Sequence, residues 1–350
     1  MPLPRILSFR LVFQFAWGLL AAALAIALEP VGRAAPVEII EVRKIWAEGA
    51  HNAFTDLLWW QDQWWCTFRE AEGHVGGDGV IRILVSRDGA TWTSAAALSE
   101  KGVDLRDPKF SVTPDGRLML NCGGSIYEGK TLKGRRSRVM FSQDGRTWTA
   151  PQKILSEGEW CWRVTWHEGT AYSAVYRSTG PNSPSGSEWA LVLYRSKDGV
   201  AWDLVKVIEM TGRPNETTLR FTNEGEMIAL VRREAESFMG YVGRAKAPFT
   251  DWTWQTSNYR YGGQNFIQIP DGRWIVGTRD YTGTKTGSFA GARMILAELE
   301  PNGHLRPLAT LPSSGDASYP GLVWRAGELA VSYYSSHEGK TAIYFARVKL

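Results

Sequence analysis

One heptapeptide occurs three times in this chain: Ser86-Arg-Asp-Gly-Ala-Thr-Trp92, Ser142-Gln-Asp-Gly-Arg-Thr-Trp148 and Ser196-Lys-Asp-Gly-Val-Ala-Trp202. The copies start 56 and 54 residues apart. Asp-Gly is turn chemistry, because glycine takes positive φ freely and aspartate bonds its own backbone. A strand-like run precedes each copy, at Val80–Val85, Ser137–Phe141 and Ala190–Tyr194. Each copy therefore reads as a hairpin tip with its tryptophan packed back on the repeat. Two degenerate copies continue the period, Pro248-Phe-Thr-Asp-Trp-Thr-Trp254 and Pro301-Asn-Gly-His-Leu305.

A second turn series runs out of phase with the first: Gln61-Asp62, Asp115-Gly116, Glu168-Gly169, Glu224-Gly225, Asp271-Gly272 and Ala326-Gly327. Each joins two short β-rich runs, and helical periodicity is nearly absent. Six units of about 50 residues with up to four strands each predict an all-β, six-bladed β-propeller. The last unit, from Asp316, ends after a third strand at Leu350. The segment Val37–Trp46 is left over and is expected to supply the missing outer strand, closing the ring and removing exposed sheet edges. Ser178–Ser187 and Thr282–Gly291 read as long loops on one face.

The first 35 residues read as an export signal. Arg5 and Arg10 precede an apolar stretch from Leu11 to Leu28, and cleavage near Ala27 or Ala34 fits the small-residue rule. An uncleaved membrane anchor is the alternative. Residues 36–350 form one domain, expected in the periplasm or outside the cell. The net charge of +4 and the lack of any basic run exclude an electrostatic nucleic-acid binder. Cys66, Cys122 and Cys161 are an odd number without metal-ligand spacing, and read as buried thiols, with one pair bridged after export as the alternative. The five histidines and the acidic residues show no such spacing either, so neither a catalytic metal nor another cofactor is expected.

In a propeller the inner strands surround a channel whose mouth holds the site. Aligning the six hairpins on their turns puts Arg69, Gly123, Tyr176, Arg232, Arg279 and Tyr334 at one equivalent position. A structural repeat favours apolar residues there, so three arginines suggest recognition of an anion. Pairing with neighbouring carboxylates is the blander explanation.

At this point the chain resembles the sialidase superfamily, from about His51 to Leu350. The Ser-x-Asp-Gly-x-Thr-Trp segments look like that family's Asp boxes, which carry architecture only. Asn215-Glu-Thr-Thr-Leu219 followed by Leu230-Val-Arg-Arg233 resembles the glutamate strand and the second carboxylate-binding arginine, implying Glu216 and Arg232. Gly277-Thr-Arg-Asp280 resembles the third-arginine strand, implying Arg279. Ser318-Tyr-Pro-Gly-Leu322 resembles the segment of the nucleophilic tyrosine, implying Tyr319. Phe68-Arg-Glu70 with Gly77-Asp-Gly79 resembles the loop of the acid/base aspartate, implying Asp78. The resemblance implies a retaining, exo-acting glycosidase that releases a terminal acidic sugar from a glycan. Planar guanidinium forks would hold the sugar carboxylate. A phenol escapes the repulsion that a carboxylate nucleophile would meet, and tyrosine is the known exception to the two-carboxylate rule in sialidases.

The family's first-strand arginine is missing, since the stretch reads His51-Asn-Ala-Phe-Thr-Asp-Leu57. Arg69 and Arg106 are the candidates to replace it, and His51 and Asp56 are candidates to enter the site. Asp107-Pro108 admits a strand-start turn. Of the tryptophans, Trp162 is the best candidate to stack on a sugar. Two alternatives stay open: a hydrolase or lyase acting on another acidic glycan, and a glycan-binding propeller without chemistry.

Overall fold

The computed structural model describes residues 1–2, 37–178, 189–282 and 289–350. The expected signal from Leu3 onward, including Ala27 and Ala34, lies outside the described residues, as does most of each of the expected loops Ser178–Ser187 and Thr282–Gly291. From Val37 onward the chain is a six-bladed propeller, and no helix occurs among the described residues.

Blade one comprises His51–Trp60, Gln63–Ala71, Val80–Ser86 and Thr93–Leu98, hydrogen-bonded in that order. Blades two, four and five repeat this antiparallel meander from Asp104–Val112, Pro214–Phe221 and Asn265–Gln268. In blade three the first strand is broken into Glu159–Cys161 and Thr165–His167, both paired to Thr170–Ser178. Blade six has three strands from the C-terminal end, Ser318–Arg325, Glu328–Ser335 and Ala342–Lys349. Its fourth is Glu38–Trp46, antiparallel to Ala342–Lys349. The leftover N-terminal strand thus closes the ring as the repeat count requires.

The three heptapeptides are superimposable in their bonding. In the first, Asp88 Oδ1 accepts the N–H groups of Ala90 and Thr91, and the Gly89 N–H donates to Ser86 Oγ. Trp92 Nε1 donates back to the Gly89 carbonyl at 2.9 Å. Gly89 sits at φ 74°, a conformation that glycine adopts without a Cβ clash. Asp144 and Asp198 repeat the pattern. These amide bonds, led by Thr91 and Thr147, hold the Asp88 and Asp144 carboxyls down at about 2. Even the degenerate fourth copy keeps its Trp252 Nε1 bond, to the Phe249 carbonyl. Trp92, Trp148, Trp202 and Trp252 therefore serve blade packing.

Alternation along each strand buries apolar side chains on both faces, and the core divides into six clusters, one between each pair of neighbouring blades. The first strands neighbour one another in ring order and line the axis. Cys66, Cys122 and Cys161 are buried free thiols within these clusters.

Candidate active site

A backbone irregularity shared by the axial strands builds the site. In blades one, two, four and six, the ladder between first and second strands skips two residues near the strand start. The skipped pairs are Phe54 and Thr55, Asp107 and Pro108, Asn215 and Glu216, and Tyr319 and Pro320. Phe54, Asp107 and Tyr319 lie there at positive φ, 67°, 52° and 53°. Such backbone costs on the order of 1–3 kcal/mol per residue and persists where the surroundings over-determine it. Bulges re-aim side chains, and here they bring residues of different blades together at the channel mouth.

Tyr319 of blade six meets Glu216 of blade four there, 103 positions apart in sequence. The Tyr319 hydroxyl donates to Glu216 Oε1 at 2.5 Å. Glu216 Oε2 accepts from Arg232 Nη1 at 2.7 Å and from the Gly263 N–H at 2.9 Å. Gly263 has to be glycine: a Cβ there would lie 2.3 Å from Tyr319 Cδ2, at φ 62°. Burial, and next the Glu216 charge, push the Tyr319 phenol well above its ordinary value, against the pull of Arg232. A phenol so placed is a poor nucleophile until its proton leaves, and Glu216 is the acceptor within reach.

The other expected residues divide by what they touch. Arg69 is fully buried, with Nε and Nη2 on Asp104 at 2.6 and 2.9 Å and Nη1 on the Gly73 carbonyl. Arg279 is equally committed: Nε donates to the Ala317 carbonyl, Nη1 to Tyr281 and Nη2 to Tyr334. Neither offers a free fork to a ligand, so the blander carboxylate-pairing explanation describes Arg69. Arg232 also bonds Glu234, and no bond among the described residues reaches its Nη2. Arg106 lies over the Phe54 ring at 5.2 Å and makes only long bonds, to Asp104 at 3.4 Å and Tyr127 at 3.3 Å. Among the described residues, Arg106 and Arg232 keep donors to spare at the mouth.

Asp56 does not enter the site. Arg163 grips it with two bonds of 2.8 and 2.9 Å, and the Phe110 N–H donates to it. Trp162 has no exposed surface. It packs edge-on beneath Tyr319, ring centroids 5.3 Å apart, and presents no face for a sugar to stack on. Asp78 is exposed, and its Oδ2 accepts the Gly102 N–H at 3.0 Å in the connection entering blade two. Its carboxylate is engaged there and not with Tyr319 or Glu216. His51 is buried at the rim, with Nε2 3.1 Å from Asp316 Oδ2.

Two residues missed by the sequence reading belong to the site. Asp107 is 8 % exposed, no hydrogen bond among the described residues reaches its carboxylate, and Oδ1 is buried without a partner there. Burial pushes its carboxyl up, against the charges of Arg106 and Lys109. Lys109 lies under the rings of Trp162 and Tyr319, at 4.8 and 5.5 Å from their centroids. Burial brings its ammonium down to about 8, against the pull of Asp56. The only sequence signal for either was the Arg106-Asp-Pro-Lys109 run itself.

The fold and this mouth define a six-bladed propeller with a phenol–carboxylate pair on its axis. No family model and no curated protein matches the chain. Among solved structures, a protein of unknown function from Dyadobacter fermentans superposes with a TM-score of 0.78 at 18 % identity, covering 90 % of this chain and all of that one. Trypanosoma rangeli sialidase gives 0.67 at 12 %, with 85 % of this chain matched to 55 % of that enzyme, so the chain spans about half its length. Penicillium chrysogenum α-L-arabinanase gives 0.66 at 14 %, covering 88 % and 98 %. At these identities the likeness establishes the propeller fold.

Proposed function

We propose that the chain is a retaining glycoside hydrolase that removes the terminal residue of a glycan, with Tyr319 as nucleophile and Glu216 as its base. The observation that carries this reading is the 2.5 Å bond between Tyr319 Oη and Glu216 Oε1. In the first half-reaction Glu216 takes the phenol proton while Tyr319 Oη attacks the anomeric carbon, and the glycosidic oxygen leaves as an alcohol with a proton from a general acid. In the second, water gives a proton back to that acid as its oxygen displaces the phenol, which recovers its own proton from Glu216. The structural neighbours that hydrolyse glycans on the same propeller support the class.

The preferred substrate is an acidic sugar. Its carboxylate would take the free donors of Arg232 and Arg106, as charge-assisted bonds that favour a planar fork. Asp107, an unpartnered acceptor beside them, suits a sugar hydroxyl. A second reading, a neutral sugar, is favoured by Arg69 and Arg279 being spent within the protein. Export is part of the proposal, on the strength of Arg5, Arg10 and the apolar run that follows.

A panel of methylumbelliferyl glycosides, sialosides, uronides and arabinofuranosides, tests the reading. The parent chain is expected to release fluorophore from an acidic member, and Tyr319→Phe to abolish it. Turnover of arabinofuranosides alone would select the neutral sugar. Unchanged turnover in Tyr319→Phe, or none on any glycan, would remove the hydrolase reading.

A further inference from the structure

With Asp78 turned to Gly102, the residue expected to protonate the leaving oxygen is engaged elsewhere. The loop that carries Asp78, between Glu70 and Val80, sends a different side chain inward. His74 Nδ1 lies 2.7 Å from Asp316 Oδ2. Asp316 is fixed in turn: Tyr334 donates to its Oδ1 at 2.9 Å, His51 Nε2 is 3.1 Å from Oδ2, and Arg279 Nη2 stands 3.7 Å from Oδ1. Burial opposes ionisation of Asp316, but the bonds from His51 and His74 and the charge of Arg279 outweigh it and hold the carboxyl far below its usual range. The His74 ring stacks on Phe289, centroids 5.9 Å apart, and meets Phe54 edge-on at 5.1 Å. Phe54 packs on the Tyr319 ring at 4.9 Å. One aromatic ring therefore separates His74 from the proposed nucleophile. The His74 side chain keeps 38 % exposure, and no hydrogen bond among the described residues reaches its Nε2.

We propose that His74, oriented by Asp316, is the general acid and base of this site, an inference that rests on the glycosidase reading of Tyr319 and Glu216. An ionised aspartate on Nδ1–H fixes the ring and stabilises the imidazolium, leaving Nε2 to exchange protons. As Tyr319 Oη bonds to the anomeric carbon and the carbon–oxygen bond to the leaving group breaks, the Nε2 proton passes to the departing oxygen. In the second half-reaction neutral Nε2 takes a proton from water, the hydroxide bonds to the anomeric carbon, and Tyr319 leaves. The histidine ends protonated, as it began.

His51, His74 and Asp316 also have ligand atoms within 4.8 Å of one another, a spacing that a metal ion could use. Two features favour the hydrogen-bonded arrangement. Both histidines point at a single Asp316 oxygen. His51 Nδ1 is buried without a partner, whereas a metal-bound histidine ordinarily has its second nitrogen bonded.

The test uses the full chain and glycosides of its accepted sugar with leaving groups from alkyl to dinitrophenyl. His74→Ala is expected to lose about 10²–10⁴-fold in kcat/KM on the alkyl glycoside. On the dinitrophenyl glycoside, which departs without a proton, it should lose about tenfold or less. Azide should accelerate the variant and yield a glycosyl azide of retained configuration. His74→Gln, which keeps a bond to Asp316, should share the steep leaving-group dependence and controls for folding. Equal losses across all leaving groups in both variants would overturn the assignment. So would the steep dependence appearing in Asp78→Ala instead, or parent activity lost to EDTA and restored by zinc or manganese. Tyr319→Phe, run alongside, reports separately on the reading beneath: if it turns over like the parent, that reading fails whatever His74 does.

Discussion

Replacing Glu216 by glutamine separates the two jobs of that side chain. Oε2 accepts from Arg232 Nη1 and the Gly263 N–H, while Oε1 faces the phenol. Two donors on one side orient the glutamine amide, so its oxygen takes the Oε2 place and its NH₂ faces Tyr319. The packing is preserved, yet the group opposite the phenol now donates where it should accept. General-base assistance is worth about 10²–10⁴ in rate, so kcat/KM should fall by about 2.7–5.5 kcal/mol of transition-state stabilisation. The phenol itself should move the other way. The Glu216 charge raises the Tyr319 value, so its removal, with Arg232 left in place, must let Tyr319 ionise at lower pH. Steady-state kinetics give the first quantity. The tyrosinate absorbance of Glu216→Gln, less that of the Glu216→Gln/Tyr319→Phe double variant, gives the second. The expected result is a slower enzyme with a more acidic tyrosine. A variant within a factor of about 3 of the parent, about 0.7 kcal/mol, would refute the base assignment.

Three further outcomes follow from the axis. Asp56→Asn strips Arg163 of its buried partner and should lower unfolding stability by about 3–5 kcal/mol, partly recovered in Asp56→Asn/Arg163→Met; a loss under about 1 kcal/mol in urea unfolding would contradict the pairing. Lys109, with its value brought from 10.5 to about 8 by burial, binds its proton less tightly folded than unfolded. Its contribution to stability should therefore rise between pH 8 and the ordinary lysine value by about 3 kcal/mol, and Lys109→Met should lack that rise; parallel stability–pH curves for parent and variant would count against it. Gly263→Ala drives a methyl into Tyr319 and should cost at least about tenfold in kcat/KM through misplacement of the phenol, with the propeller's circular dichroism unchanged; full activity would contradict the close approach.

The blades were legible because their information is local. A seven-residue turn carries its own serine, aspartate, glycine and tryptophan contacts, so Ser86–Trp92 announces a hairpin without reference to the rest of the chain. The leftover strand at the N-terminus followed from counting. Glu216 and Tyr319 were legible through the resemblance of their segments, and the fold brings the two side chains into contact. What escaped was decided by distant partners. Arg69 and Arg279 looked like ligand forks, but Asp104, the Ala317 carbonyl and Tyr334 absorb their donors. Trp162 looked available for stacking until Tyr319 covered it. In the loop between Glu70 and Val80 nothing in the sequence says which side chain turns inward. The answer depends on Asp316, 242 positions from His74. Asp107 was hidden by a bulge, and a bulge has no sequence signature of its own.

The measurement closest to the central claim is covalent capture. A fluorinated, activated derivative of the accepted sugar slows the second half-reaction, and peptide mass spectrometry of the trapped protein locates the sugar. The account requires the added mass on the peptide containing Tyr319, and its absence in Tyr319→Phe. A label on Glu216 or Asp107, or inversion of configuration with no adduct, would contradict it.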